Sequence, residues 1–264
     1  MQQVKKVMTE TGLIFVFLIF KQNYFMKLLQ LGLVALLTLA GISSLKAQTV
    51  DEIIDKHVAA IGGKDLLSKI TSINIEGSAN AMGNDYPTTV TILNGKGFKT
   101  ITSVNGMDII NCMTDTSGWM LNPMMGQTEP TAMPAEAIKA GKASLDTRGE
   151  LFDYKSKGFT ASLDGTEKYQ GVDAYKVKLT NSTQTITYFI DPNTFYVLRK
   201  DVKASMGGRD ISNTTTYSNY KKTDFGYVMA FTMGINNMGY DVNITYTKVD
   251  INKDIDPKIF AMPK

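Results

Sequence analysis

The sequence predicts a mostly β chain: an antiparallel sheet of about ten or eleven strands, curled but not tightly closed, with helical segments over its open side. Three observations predict it. The spacing of apolar residues changes from a helical period to a period of 2 near Thr71. Turn signals then recur about every ten residues, at Gly83-Asn84-Asp85, Asn94-Gly95, Asn105-Gly106 and Asp115-Thr116-Ser117-Gly118, the rhythm of an antiparallel meander. A stretch of loop and helical composition, residues 122–158, interrupts that rhythm before strands resume at Thr160.

Residues 1–47 read as a leader. From Met26-Lys27 a positive start leads into an apolar run, Leu28 to Ile42, and then Ser43-Ser44-Leu45-Lys46-Ala47, the order that a secretory peptidase recognises. The expected first mature residue is Gln48, and no cysteine lies in the leader, so the expected product is exported and not lipid-anchored. Residues 1–25 carry a second apolar run, Leu13 to Phe20, too short to span a bilayer. The preferred account is a start codon called too early, with Met26 the initiator; a genuine long leader and an uncleaved anchor are the alternatives. On this reading residues 48–264 form one domain with no membrane span.

Charge excludes several partners. Five of the 28 basic and one of the 25 acidic residues fall in 1–47, which leaves 23 against 24. A near-neutral chain with no basic run longer than Lys221-Lys222 has no electrostatic footprint for nucleic acid. The single cysteine, Cys112, reads as a buried strand thiol beside Ile109, Ile110 and Met113, and it cannot form an internal disulfide. One histidine and one cysteine exclude the common zinc patterns and make a nucleophilic triad hard to assemble. No Gly-Xaa-Ser-Xaa-Gly elbow or phosphate-cradling glycine loop is present. The expectation is a protein without catalytic residues, metal or cofactor.

Taken in order, Val50, Ile53, Ile54, Val58 and Ile61 repeat at helical spacing, with Thr49 or Asp51 as cap and Gly62-Gly63 as terminator. His57 on this helix is expected to be solvated. A second short helix covers Lys64 to Ile70. In the insertion, Pro134 to Ala143 has helical composition, and a further helical piece is expected over Leu145 to Tyr154 with Leu151 and Phe152 as its apolar face. Among the later strands, Thr183 to Ile190 and Phe195 to Val202 flank a turn at Asp191-Pro192-Asn193-Thr194.

One strand stands out. Tyr227, Met229, Phe231, Met233 and Ile235 alternate with smaller residues, and each large side chain gains about 1.5–3 kcal/mol from full burial, so this face demands cover. The available covers are the N-terminal helix and the 122–158 insertion. They either plug the opening or leave a cavity for an apolar ligand, and the cavity is the preferred reading. Twelve of the fifteen methionines lie after residue 47, and Met124, Met125 and Met133 sit in the insertion, where an adaptable lid is expected. The candidate ligand-binding residues are therefore the five of the wall and these three.

Five segments carry a family resemblance. They are Val50-Asp51-Glu52-Ile53-Ile54 through Ala60-Ile61-Gly62-Gly63-Lys64, Tyr188-Phe189-Ile190-Asp191-Pro192 with Phe195 to Lys200, Thr216-Tyr217-Ser218-Asn219-Tyr220, Val249 to Asn252, and Ile259-Phe260-Ala261-Met262-Pro263. In combination they resemble the LolA/LolB-type lipoprotein-carrier superfamily from Val50 to Pro263. The resemblance implies a half-open antiparallel β-barrel with a helical lid over an apolar cavity, and a part in outer membrane biogenesis. Members accept lipid or lipoprotein acyl chains in the periplasm, and lipid-anchored members act as receptors. Without an anchoring cysteine this chain is similar to the soluble carriers. The expected function is a soluble periplasmic carrier or binding protein for a lipid or acylated lipoprotein. The alternative is an envelope sensor or protein-interaction module with a self-filled core and an envelope protein partner.

Overall fold

The computed structural model describes residues 48–206, 209–237 and 240–263; the leader expected at residues 1–47 lies outside the described residues. Two helices, α1 (Val50–Ala60) and α2 (Lys64–Leu67), open the chain. Six strands follow: β1 (Ser72–Ala81), β2 (Asn84–Leu93), β3 (Gly97–Val104), β4 (Met107–Thr114), β5 (Gly118–Leu121) and β6 (Thr131–Ala132). The insertion then supplies α3 (Ala135–Gly141) and a 3-10 helix, Lys142–Leu145. Seven more strands complete the sheet: β7 (Thr160–Tyr169), β8 (Val172–Thr180), β9 (Gln184–Ile190), β10 (Val197–Met206), β11 (Arg209–Lys222), β12 (Val228–Asn237) and β13 (Tyr240–Ile251).

All thirteen strands belong to one sheet in the order β6-β5-β4-β3-β2-β1-β13-β12-β11-β10-β9-β8-β7. It is two meanders joined where β1 pairs antiparallel with β13, Ile73 opposite Ile251 and Ala81 opposite Val242. Its edge strands, β6 and β7, are not hydrogen-bonded to each other, so the sheet is a half-open antiparallel barrel. The count exceeds the expected ten or eleven by the two shortest strands, β5 and β6, of four and two residues, too brief to display a period of 2.

Local chemistry explains the elements. Thr49 and Glu52 form a reciprocal capping box on α1. Gly62 and Gly63, at φ 135° and 84°, end it with backbone that other residues adopt only under strain. The β1–β2 and β3–β4 connections place Met82-Gly83 and Asn105-Gly106 at positive φ, as two-residue hairpin turns require. The expected helix over Leu145 to Tyr154 does not form. Beyond the 3-10 helix the chain runs in consecutive turns, with Gly149 and Asp153 at positive φ, which no α-helix accommodates.

The helices and these turns fill one half of the barrel. Ile53, Ile54, Val58, Ile61, Leu67 and Ile70 pack with Leu151, Phe152, Tyr154 and Phe159 against inward residues of the sheet, among them Ile73, Ile75, Val177, Leu179, Ile186 and Ile190. The Tyr154 hydroxyl donates to Asp51 at 2.6 Å, which ties the insertion to α1. His57 departs from expectation: it is buried, not solvated, and its Nδ1 donates to the Phe195 carbonyl at 2.8 Å. The reason is its register, three and four residues after Ile54 and Ile53, which puts it on the buried stripe.

A second, smaller core sits on the other face of the sheet. Cys112, Trp119 and Phe260 pack together, with Leu93, Ile110, Leu121 and Ile255 around them. The C-terminal 3-10 helix, Pro257–Phe260, forms its roof. The Phe260 carbonyl accepts from Trp119 Nε1 at 3.0 Å and faces Cys112 Sγ at 3.4 Å, and Lys99 Nζ donates to the Ile259 carbonyl at 3.1 Å. The Phe260 ring occupies the space that a Cβ at Gly97 would need. Burial pushes the Cys112 thiol up to about 11, so it is an inert packing group, as expected of a buried strand thiol.

Two outcomes follow from these cores. Phe260→Ala removes the roof and should cost about 3 kcal/mol or more in urea unfolding. The fluorescence of Trp119, the only tryptophan, should shift to the red in the folded variant. His57 is the only histidine, and burial pushes its imidazole below the ordinary 6.5 although the Phe195 carbonyl favours protonation. A depressed folded-state value means the unfolded chain binds the proton first. Its stabilisation is therefore complete above pH 6.5 and lost as pH falls below that value. The urea midpoint should drop between about pH 7.5 and pH 5.5 in the wild type and drop less in His57→Gln.

Candidate functional site

The concave face is one surface read off the register of consecutive strands. Ile75 lies opposite Val90, and Ala79 opposite Ile244. Ile244 lies opposite Met233, Val242 opposite Ile235, and Met233 opposite Tyr217. Directly paired side chains share a face, so these residues line one wall. Near the helices that wall is buried. Toward the hairpin end it is not: Ala81, Thr102, Val104, Ile109, Val202, Ile211, Met233, Ile235, Val242 and Ile244 are all half-buried. The helical cover fills part of the barrel and leaves an apolar trough beyond it.

The predicted wall residues divide along this boundary. Tyr227 and Met229 pack against the helix-covered core. Phe231 is buried, with the Lys221 ammonium 5.0 Å from its ring. Met233 and Ile235 extend into the half-buried part, and β12 keeps an unshifted register against both neighbours. The first four residues of β12 have no partner on β13, and the Val228 N–H donates to the Ile61 carbonyl at 3.0 Å at the end of α1. The three insertion methionines lie apart from the wall strand. Met124 and Met125 stand on a 3-10 turn after β5, 53% and 79% exposed. Met133 packs near Gly118 and Ile138.

A polar layer that the sequence did not announce marks the inner end of the trough. Lys200, opposite Tyr188 on β9 and Thr215 on β11, points inward. Its ammonium lies 3.3 Å from Glu150 of the insertion, and the Tyr188 hydroxyl donates to the same carboxylate at 2.7 Å. Burial pushes the Glu150 carboxyl up, but Lys200 and Tyr188 outweigh it and hold it below its ordinary value. Burial likewise pushes Lys200 down, and Glu150 reverses that. The pair is therefore ionised and neutral as a unit. Tyr217, Tyr227 and Tyr246 pack against the helix-covered core and are all raised, by burial first; tyrosine neighbours come second for Tyr227 and Tyr246, and Tyr227 reaches about 12.

A cleft of about 580 Å³ opens beside this layer, between α3 and the β8–β9 connection, on the unclosed side of the barrel. Lys139, Ala143, Glu150, Phe159, Gln184 and Ala204 line it, so it reaches inward groups from the surface. None of the eight predicted ligand residues lines this cleft.

The buried pair yields a test of its own. Lys200→Met or Glu150→Met alone leaves a buried charge unmatched and should destabilise by about 3 kcal/mol, whereas the double variant should recover much of that loss. A double-mutant cycle in urea checks the coupling.

No protein-family model matches the chain, and no curated protein matches it in sequence. Solved structures do match. A LolA superfamily protein from Nitrosomonas europaea is 14% identical, superposes with a TM-score of 0.53, and covers 81% of this chain and 98% of its own. A candidate outer membrane lipoprotein-sorting protein domain from Vibrio parahaemolyticus is 16% identical with a TM-score of 0.51, covering 80% and 95%. A DUF1329 family protein from Desulfovibrio piger is likewise 16% identical with a TM-score of 0.51, covering 81% and 98%. At such identities the likeness is one of architecture, and by architecture this chain has the LolA-like fold.

Proposed function

We propose that the protein is a soluble carrier or binding protein for a lipid or an acylated lipoprotein, held by its acyl chain in the trough. The observation that carries this reading is the mismatch between cover and wall. The helices bury only one half of the concave face, and the remainder, from Met233 and Ile235 across Val242 and Ile244, stays apolar and half-buried. The LolA-like fold and the likeness to a lipoprotein-sorting domain support it. The export-like leader at residues 26–47 supports a periplasmic location. Among the described residues no helix is long and apolar enough to cross a membrane. On this reading Met124, Met125 and Met133 border the path by which the ligand enters.

The competing reading, an envelope sensor or protein-interaction module, draws on the plugged half of the barrel, where Leu151 and Phe152 already fill the interior. Lipid extraction from natively purified protein separates the two, since a stoichiometric lipid supports only the carrier. The direct test is uptake of a fluorescent acyl probe by delipidated protein. Met233→Glu places a charge on the open part of the wall, outside the filled core. It should weaken probe binding at least about tenfold while leaving the unfolding midpoint near that of the wild type. Unchanged binding would remove the trough as the site.

A further inference from the structure

Methionines gather at one end of the sheet. Because neighbouring strands run antiparallel, the β1–β2, β3–β4, β5–β6, β10–β11 and β12–β13 connections all fall at that end. Of the seven exposed large apolar side chains among the described residues, four stand in or beside these connections: Met82, Met107, Met124 and Met125. The connections at the opposite end, 94–96, 115–117, 170–171, 191–196 and 223–227, contain no methionine. Met82 is 88% exposed and takes φ 50°, the place that Asn105 fills at φ 51° in the β3–β4 turn. Left-handed backbone suits asparagine better than methionine, so Met82 is a poor choice for the turn alone, and such outliers gather where a residue has another use.

Four of these hairpins repeat one pattern. Asn80 and Asp85, Ser103 and Asp108, Ser205 and Asp210, and Asn236 and Asp241 each form the second cross-strand pair from the turn. Each segment also contains a methionine, at 82, 107, 206 and 238; the side chains of Met206 and Met238 lie outside the described residues. The four aspartates are exposed and sit on every second strand, β4, β2, β13 and β11 in sheet order. They therefore recur about every 9.5 Å along about 29 Å of rim. Asn80 donates to Asp85 at 2.8 Å, Asn236 to Asp241 at 2.6 Å and the Ser103 hydroxyl to Asp108, neutral partners that orient the carboxylates and leave their charge. The only basic residue within 80–85, 103–108, 205–210 and 236–241 is Arg209.

The charge decides between occupants. An anionic lipid surface is repelled by the aspartates, and a second copy would set the same row of carboxylates against its own. Thioether side chains adapt to irregular apolar pockets, and methionine is enriched at protein interfaces. A rim of about 29 Å is also the breadth of an interface that buries about 800 Å² on each partner. We propose that this rim docks a protein partner whose contact surface carries lysines or arginines around apolar pockets, the methionines entering the pockets and the aspartates meeting the basic groups. Docking of this kind requires no guest in the trough.

The probe is a fluorescein-labelled (KLAKLAK)2 peptide, a helix with leucines flanked by lysines, followed by anisotropy with the full-length protein at low salt. It should bind at least about tenfold more tightly than (ELAELAE)2. Met82→Asn/Met107→Ser should weaken binding at least about fivefold, and Met82→Asn alone should raise the urea midpoint while weakening binding, a combination that a purely structural residue does not give. Asp85→Asn/Asp108→Asn/Asp241→Asn should weaken binding at least about tenfold and flatten its salt dependence. Asp115→Asn/Asp224→Asn at the opposite end and Met233→Glu in the trough should leave it within about twofold. An equal loss in the opposite-end variant means general charge attraction, and a loss in Met233→Glu means binding in the trough; either overturns the inference. So does a wild type that fails to bind the peptide, binds phosphatidylglycerol vesicles through Met82, or forms a dimer that Met82→Asn abolishes. Each of these outcomes leaves acyl-probe uptake, and with it the carrier reading, to be decided separately.

Discussion

The pairing of β1 with β13 is the constraint on which the rest depends. It joins two meanders into one long sheet and leaves the edges at β6 and β7 apart. A sheet that does not close on itself cannot fill its concave side with its own side chains alone. Separate cover is required, and the chain supplies it from its beginning and its middle: α1 and α2, then the turns around Leu151, Phe152 and Tyr154. The hydrogen bond from Tyr154 to Asp51 and the donation of Val228 N–H to the Ile61 carbonyl fasten that cover to itself and to the sheet.

Much of this was legible in the sequence, for a physical reason. Period, turn chemistry and caps are local properties, and the sheet is built almost wholly from neighbours in sequence. The hairpin turn at Asn105-Gly106 and the Asp191 turn, where Asp191 Oδ1 accepts from Asn193 N at 2.7 Å, formed where their residues predicted, whereas the first turn is made by Met82-Gly83, and Asn84 and Asp85 of the expected Gly83-Asn84-Asp85 already belong to β2. Residues 145–154 failed as a helix because apolar spacing does not show which positions need left-handed backbone, and Gly149 and Asp153 take it. His57 could have been placed correctly: the spacing that picked out Ile53, Ile54 and Val58 also includes position 57, and only its polarity argued for solvent.

The polar layer was not legible, because it depends on an irregularity and on a distant partner. Arg199, Lys200 and Asp201 are three charges in a row and give no hint of which one faces inward. A register shift between Val197 and Arg199 settles it, turning Lys200 in and Arg199 out. Arg199 then lies over the Phe189 ring at 3.9 Å and pairs with Asp201 at 2.6 Å on the opposite face. Glu150, fifty residues away in the run of turns that follows the 3-10 helix, has no sequence signal that it will meet Lys200. Tyr227 was selected from its apolar alternation, which is sound for the ring and silent about the hydroxyl.

These parts fit together as a division of the barrel interior into a filled half and an open half. Had the cover been larger, the wall from Met233 to Ile235 would be sealed, and the fold would be a packed sandwich with no room for a guest. Had it been smaller, Ile53, Leu67 and the other fully buried side chains would lose the burial that stabilises the sheet. Beside the filled half, Lys200 and Glu150 can stay buried because they pair with each other and Glu150 also accepts from the Tyr188 hydroxyl. On the carrier reading proposed above, the open half is where an acyl chain would lie.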